Sequence, residues 1–456
     1  MSAGVKPGFA APLRSSEFRA LWLAELSSVV GDQLARVALA LVVYAQTSSA
    51  LLTALTYGLT LVPSLLGGML LSGLADRLPR RTVMAAADAA RAVLAGAMAV
   101  PGLPLPVLWG CVGLLSFAAG PFKAAQMSLL PEVLGRGECY EAGLALRQFT
   151  TQVAQLGGFA GGGLLLAWLD PHVAMGLNAG TFVVSTVFVL RGVRPRPAAR
   201  TAAEQPEVSE PGDGIPRGSR ATVVALFGLV VLLGLYIVPE GLAAPYGHAV
   251  GVGALGIGLL MAADPVGSAI GAWVSTLVAL PTKVSTVAAL AVLAGVPLIA
   301  CAASPNLAVT LVLWAMTGAV AEVYVIKAQA LVVKVVPNRR LGGVMGRMGT
   351  AMYCSQGLII VAGGAVADRI GPFLAIAAAG ASAAVVAVIV GAGWWAARSR
   401  GATRSEPISA DREHDHHSLP RTFGTSPRDQ DRLTDRAVHH EAAPTRSATH
   451  RSQYGG

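Results

Sequence analysis

Glu25, Asp32 and Arg36 stand in a stretch otherwise rich in Ala, Leu and Val. Their spacings of seven and four residues put all three on one face of a helix. The chemistry open to such a set is proton exchange, in which a carboxylate takes up and releases a proton under the influence of a nearby guanidinium. Asp32 is the expected carrier, with Glu25 assisting and Arg36 tuning it. Equally open is an i, i+4 ion pair between Asp32 and Arg36 that neutralises both and ties the surrounding helices together. Glu240 and Asp264 are candidates of the same kind further along, each beside a proline (Pro239, Pro265) where freed backbone groups can also meet a ligand. Glu322 is a further open position. Asp88 and Arg91, spaced i, i+3, read as a local ion pair, and Lys123, Arg147, Lys327 and Arg347 as anchors reaching water from helix ends.

These charges need explaining because of what surrounds them. With 54% hydrophobic residues, 13% charged residues and a mean hydropathy of +0.60, the chain is poorly suited to a soluble surface and well suited to a lipid-facing one. A charge at mid-bilayer costs about 2.5 to 3.5 kcal/mol on insertion scales, so each buried acid marks an ion or substrate pathway or a neutralising partner. Twelve apolar runs are long enough to cross the hydrocarbon as helices: 18–45, 51–72, 82–100, 107–130, 142–168 and 173–190, then 221–246, 254–280, 284–302, 308–333, 341–367 and 372–396. The first is too long and too charged for a signal peptide.

Lys and Arg collect on alternate connections. One set carries Arg77, Arg80 and Arg81, then Arg136, the arginines between 191 and 220, Lys283, and Lys334, Arg339 and Arg340; the other carries almost none, Arg369 excepted. Basic connections belong in the cytoplasm, which places both termini there in a multi-pass protein of the plasma (inner) membrane. The expected organisation is a cytoplasmic N-terminus (1–17), a six-helix half (18–190), a linker (191–220), a second half (221–396) and a disordered cytoplasmic tail (397–456).

A faint repeat links the halves: Lys123-Ala124 and Lys327-Ala328 occupy similar places, as do Arg147 and Arg347, each ten residues before a glycine. The connection after the second run reads Gly73-Leu-Ala-Asp76-Arg77-Leu-Pro79-Arg80-Arg81. The three arginines suffice to orient the chain; Asp76 adds a carboxylate able to bond a helix N-terminus or an arginine in one conformation and release it in another.

With these features the chain resembles the major facilitator superfamily, in particular its multidrug (macrolide) and siderophore exporters. The family loop G-x-L-A-D-R-x-G-R-K is matched at Leu74, Ala75, Asp76, Arg77, Arg80 and Arg81, with Ser72 and Pro79 in its two glycine slots. The corresponding connection of the second half, 280–283, has no acid, so the gate this resemblance implies is expected in the first half alone. Residues Gly157, Gly158, Gly161 and Gly162 resemble the G-P-x-x-G-G motif of the family's antiporters, Gly158 replacing the proline; helix packing through small-x-x-x-small pairs explains them equally. The resemblance covers about the first 396 residues.

The expectation is therefore an all-α membrane protein whose twelve transmembrane helices form two six-helix pseudo-repeats around a central, largely apolar cavity. It acts as a monomer in the lipid bilayer. The resemblance implies export of small amphipathic compounds (drugs, antibiotics or siderophore-like molecules) by proton antiport and alternating access. Proton-coupled uptake of a metabolite, favoured if the cavity is ringed with anion- or sugar-binding groups, and a non-transporting sensor or scaffold that works through the tail are the alternatives. No Walker loop, H-E-x-x-H or suitably placed G-x-S-x-G is present, which argues against an enzyme. No cofactor beyond the coupling proton, no metal at the 413–417 acid and histidine run, and no nucleic-acid partner are expected. The four cysteines are far apart and read as free thiols.

Overall fold

A computed structural model of the protein describes residues 11–135, 138–196, 217–278, 280–303 and 306–403, with backbone alone at 72–77 and at a few other positions such as 338–340 and 398. The expected tail beyond 403 with its 413–417 run, most of the linker, and the first ten residues lie outside the described residues.

All regular structure among the described residues is helical. A 3-10 turn (Ala11–Arg14) leads into α1 (Ser16–Thr47), whose first turn is capped by the Ser15 hydroxyl accepting from Phe18 N at 3.3 Å. Then follow α2 (Ala50–Gly58), α3 (Val62–Arg77), α4 (Arg80–Met98), α5 (Leu105–Leu134), α6 (Glu138–Leu166) and α7 (Pro171–Gly192). After the linker come α8 (Arg217–Val231), α9 (Leu233–Tyr236), α10 (Val238–Gly241) and α11 (Ala243–Val250), then α12 (Ala254–Leu277), α13 (Val284–Ala300), α14 (Leu307–Val335), α15 (Asn338–Ile370) and α16 (Pro372–Thr403).

Each of the twelve apolar runs is helical, but two are broken. The run 51–72 divides into α2 and α3 at a turn just before Pro63, which lacks the N–H that would bond back to Leu59. The run 221–246 divides into α8 to α11, where Pro239 and Pro245 remove two further donors.

Nine helical stretches among the described residues are long and apolar enough to cross a bilayer, including Ser16–Thr47, Ala254–Ser275 and Pro372–Ala397. The helices outside that set differ for physical reasons. α13 has only 17 residues. α4 and α6 carry ionisable residues that point inward: Asp88 is 0% and Arg91 3% exposed, and Arg147 is also buried. Apolar side chains such as Leu70 (71% exposed) and Trp168 (86%) instead cover the outer surface, where lipid replaces water as the favourable neighbour.

α1 to α7 pack on one another, as do α8 to α16, giving a first and a second bundle that meet chiefly along α6 with α12 and α2 with α15. At the first seam the backbones approach without side chains between them. A Cβ on Gly163 of α6 would stand 2.8 Å from both the Ala254 carbonyl oxygen and Gly258 Cα of α12.

Candidate functional site

Two cavities open on the inner face of α1. The larger, about 540 Å³, is walled by the first bundle, including Asp32, Arg36, Ser64, Arg91, Lys123 and Asn178. The smaller, about 270 Å³, lies between the bundles and includes Tyr57 and Glu240. Arg36, Leu39 and Thr60 line both.

The one-face arrangement of Glu25, Asp32 and Arg36 puts all three side chains toward the interior, but their partners differ from the local pairing weighed above. Asp32 pairs with Arg91 of α4 at 2.7 Å, not with Arg36. Arg91 in turn holds Asp88 at 3.0 Å and the Ser28 hydroxyl at 3.1 Å, and its guanidinium lies 4.0 Å from the centre of the Phe182 ring. Asp88 also accepts from the Ser185 hydroxyl of α7. The expected Asp88–Arg91 pair is thus one side of a buried cluster that joins α1, α4 and α7. Arg36 sits over the Tyr57 ring, 5.5 Å from its centre.

Glu25 accepts from Arg147 of α6 at 2.6 and 2.7 Å, and Gln126 of α5 bonds both partners. Arg147 is therefore a buried cross-helix tie, not the water-seeking anchor that its sequence position suggested. Lys123 is exposed on the wall of the larger cavity.

The acids of the second bundle have fewer partners. Glu240, 4% exposed, accepts from the Tyr57 hydroxyl of α2 across the seam between bundles. Asp264 lies against Gly318 of α14 and within electrostatic reach of Glu240 and Glu322. Among the described residues neither Asp264 nor Glu322 has an ion-pair partner.

The cross-bundle contacts cluster toward the end where α1 passes into α2. There the Asp368 carboxylate of α15 accepts from Ala50 N at 2.6 Å, the Ser49 hydroxyl at 2.7 Å and Leu51 N at 3.3 Å, capping α2 from the other bundle. Tyr44 packs on His248 nearby, with ring centres 5.1 Å apart. Sequence reading missed Asp368; the available signal was a charged Asp-Arg pair in a connection that topology left almost without charge. Tyr57 carried no comparable signal.

At the opposite end, Arg80 pairs with Glu132 of α5, and Arg81 donates to the Leu190 carbonyl of α7. Arg196 pairs with Glu17, whose carboxylate holds its guanidinium above the ordinary value. The described arginines of the gate motif therefore bind within the first bundle, and the side chains of Asp76 and Arg77 lie outside the described residues.

The glycine motif separates into two faces. A Cβ on Gly158 would stand 2.6 Å from Gln33 Cβ, and one on Gly162 3.3 Å from Leu34 Cα, so these two seat α6 on α1. Gly157 and Gly161 have nothing within 4 Å of that position.

The family model described as "Major Facilitator Superfamily" matches residues 21–278, more than half of the chain. No curated protein matches the sequence significantly. Among solved structures, the nucleoside transporter NupG superposes with a TM-score of 0.68 at 14% identity, covering 83% of this chain and 99% of its own. A POT family transporter in complex with 5-aminolevulinic acid gives 0.66 at 13% identity, covering 84% and 97%. A bacterial homologue of the human lysosomal transporter Spinster, inward-facing and occupied, gives 0.66 at 12%, covering 85% and 97%. At these identities the likeness is one of fold.

Proposed function

The chain belongs to the Major Facilitator Superfamily and is a multi-pass membrane transporter rather than an enzyme, and from that premise we propose that it moves a small solute by proton-coupled alternating access. The twelve helical runs are its membrane spans. α1 to α7 and α8 to α16 are two six-span halves that rock about the cavities, and the basic connections and both termini face the cytoplasm of a plasma-membrane protein. α4, α6 and α13 complete the span count because their polar residues turn inward or their length falls marginally short.

The observation that carries the coupling is the Tyr57–Glu240 hydrogen bond. Its two partners belong to different halves, so separating the halves removes a donor from a membrane-embedded carboxyl. That makes proton occupancy and conformation depend on each other. Glu240 is therefore the preferred proton site. Asp32, the sequence candidate, has a permanent cation in Arg91 and acts as part of that cluster.

The motif resemblance supports export by antiport of an amphipathic drug- or siderophore-like compound. Uptake has one specific observation in its favour, the polar and cationic wall of the larger cavity. The test is transport by the purified protein in liposomes. Glu240→Gln should keep solute exchange between the two sides and lose accumulation driven by a proton gradient. Asp32→Asn should retain such accumulation; the reverse pattern returns the proton to Asp32.

A further inference from the structure

The first bundle uses its internal acids on two buried arginines. Asp32 and Asp88 hold Arg91, and Glu25 holds Arg147. Arg36 and Lys123 are left on the wall of the larger cavity, and among the described residues neither has a carboxylate partner. Lys123 feels Arg91 and Arg36 as like charges, against the carboxylates of Asp32 and Glu25, which are themselves held by the two buried arginines. An uncompensated cation at membrane depth is costly, and two that face one space repel each other. Neutral donors stand beside them, the Asn178 amide and the Ser64 and Ser116 hydroxyls, while Met98, Val112 and Leu115 supply an apolar wall. Such a wall, with more cations than carboxylates on it, suits an anion that carries an apolar body.

We propose that the cargo is a small organic anion whose charged group is bound by Arg36 and Lys123 in the 540 Å³ cavity. This rests on the reading of that cavity as the transport site and names its substrate class. A carboxylate, a phosphate monoester and a sulfonate share the necessary chemistry.

The experiment measures ligand-induced thermal stabilisation of the purified full-length protein. Its probes are matched aliphatic and aromatic sets in which one body carries a carboxylate, phosphate, sulfonate, primary amide or amine. Stabilisation by acids but not by their amides or amines is expected, and the strongest arm identifies the anion. Lys123→Gln and Arg36→Gln should each weaken it by about ten- to a hundredfold, the usual worth of a hydrogen bond to a charged group. Lys123→Arg, which keeps the charge, should retain it. Stabilisation by amides or amines, indifference to Lys123→Gln in a variant that melts like wild type, or no response to any acid overturns the proposal. An acid that binds through Lys123 but is not carried in liposomes would refute the transport reading and leave the anion site standing.

Discussion

Asp368 is expected to act as a latch that holds the two halves together at the end where α1 passes into α2, which the proposed topology puts outside the cell. Its carboxylate accepts from Ala50 N, the Ser49 hydroxyl and Leu51 N, all belonging to the other half, so parting the halves at that end would break these bonds. Replacing Asp368 by Ala strips α2 of a cap. Caps of this kind are worth about 0.5 to 2 kcal/mol, and the site is exposed, so solvent screening keeps the figure within that range. Ser49 also caps α2, accepting from Leu52 N at 3.2 Å, which softens the loss further. A change of about 0.5 to 2 kcal/mol moves a two-state ratio by about 2- to 30-fold, here toward the state proposed to open to the outside. Thr53 is a suitable reporter because it is 2% exposed and lines the cavity between the halves. In a background with Cys111, Cys139, Cys301 and Cys354 replaced by Ser, Thr53→Cys is labelled from outside by a membrane-impermeant maleimide. Asp368→Ala should speed that labelling by about 2- to 30-fold, Asp368→Asn by less, and high salt should narrow the gap. A rate that stays unchanged or falls, with expression and melting temperature preserved, would refute the latch.

Arg91→Met leaves Asp32 and Asp88 facing each other without their shared cation; a loss on the order of 3 kcal/mol is expected, read as a lower melting temperature, and Asp88→Asn in the same chain should recover part of it. Gly163→Leu places a side chain where the Ala254 carbonyl lies 2.8 Å from the Cβ position, so the outer end should fail to close: transport is lost while Thr53→Cys stays open to external label. Deleting 398–456 should leave flux in liposomes intact, because that segment follows the last apolar run; loss of flux would favour the sensor reading.

Much of the fold is legible because lipid imposes a simple rule: a run must be long, apolar and self-satisfied in its hydrogen bonds. α5, α7 and α14 begin and end within a few residues of the stretches read from hydropathy. The breaks in the runs 51–72 and 221–246 were marked by prolines yet invisible to an average over hydropathy. The site was legible in part. Helical periodicity brought Glu25, Asp32 and Arg36 to one face, but periodicity concerns a single helix, and the true partners come from α4 and α6. Asp32 finds Arg91 at a separation of 59 residues and Glu25 finds Arg147 at 122. For the same reason, only packing shows that α5 turns Lys123 toward a cavity.

Arg36 lines the cavity assigned to the cargo and the cavity that contains Glu240, and it acts on Glu240 electrostatically. That shared position bears on the direction of coupling. An anion on Arg36 offsets the charge that favours an ionised Glu240, and a proton on Glu240 offsets the charge that competes with the anion for Arg36. If the cargo is the proposed anion, the two ligands assist each other, and linkage makes the assistance mutual. Ligands that bind together are carried together, which is symport. Antiport instead requires a cargo that excludes the proton, as a cationic or neutral amphipathic compound does when it displaces water and proton from the acidic side of the seam. On this reading the charge of the cargo selects between symport and antiport. If an acid binds through Lys123, its affinity should rise as pH falls through the range in which Glu240 takes up its proton, and Glu240→Gln should hold that affinity high at every pH. An affinity that falls on acidification, with the acid itself still ionised, would restore antiport and refute this coupling.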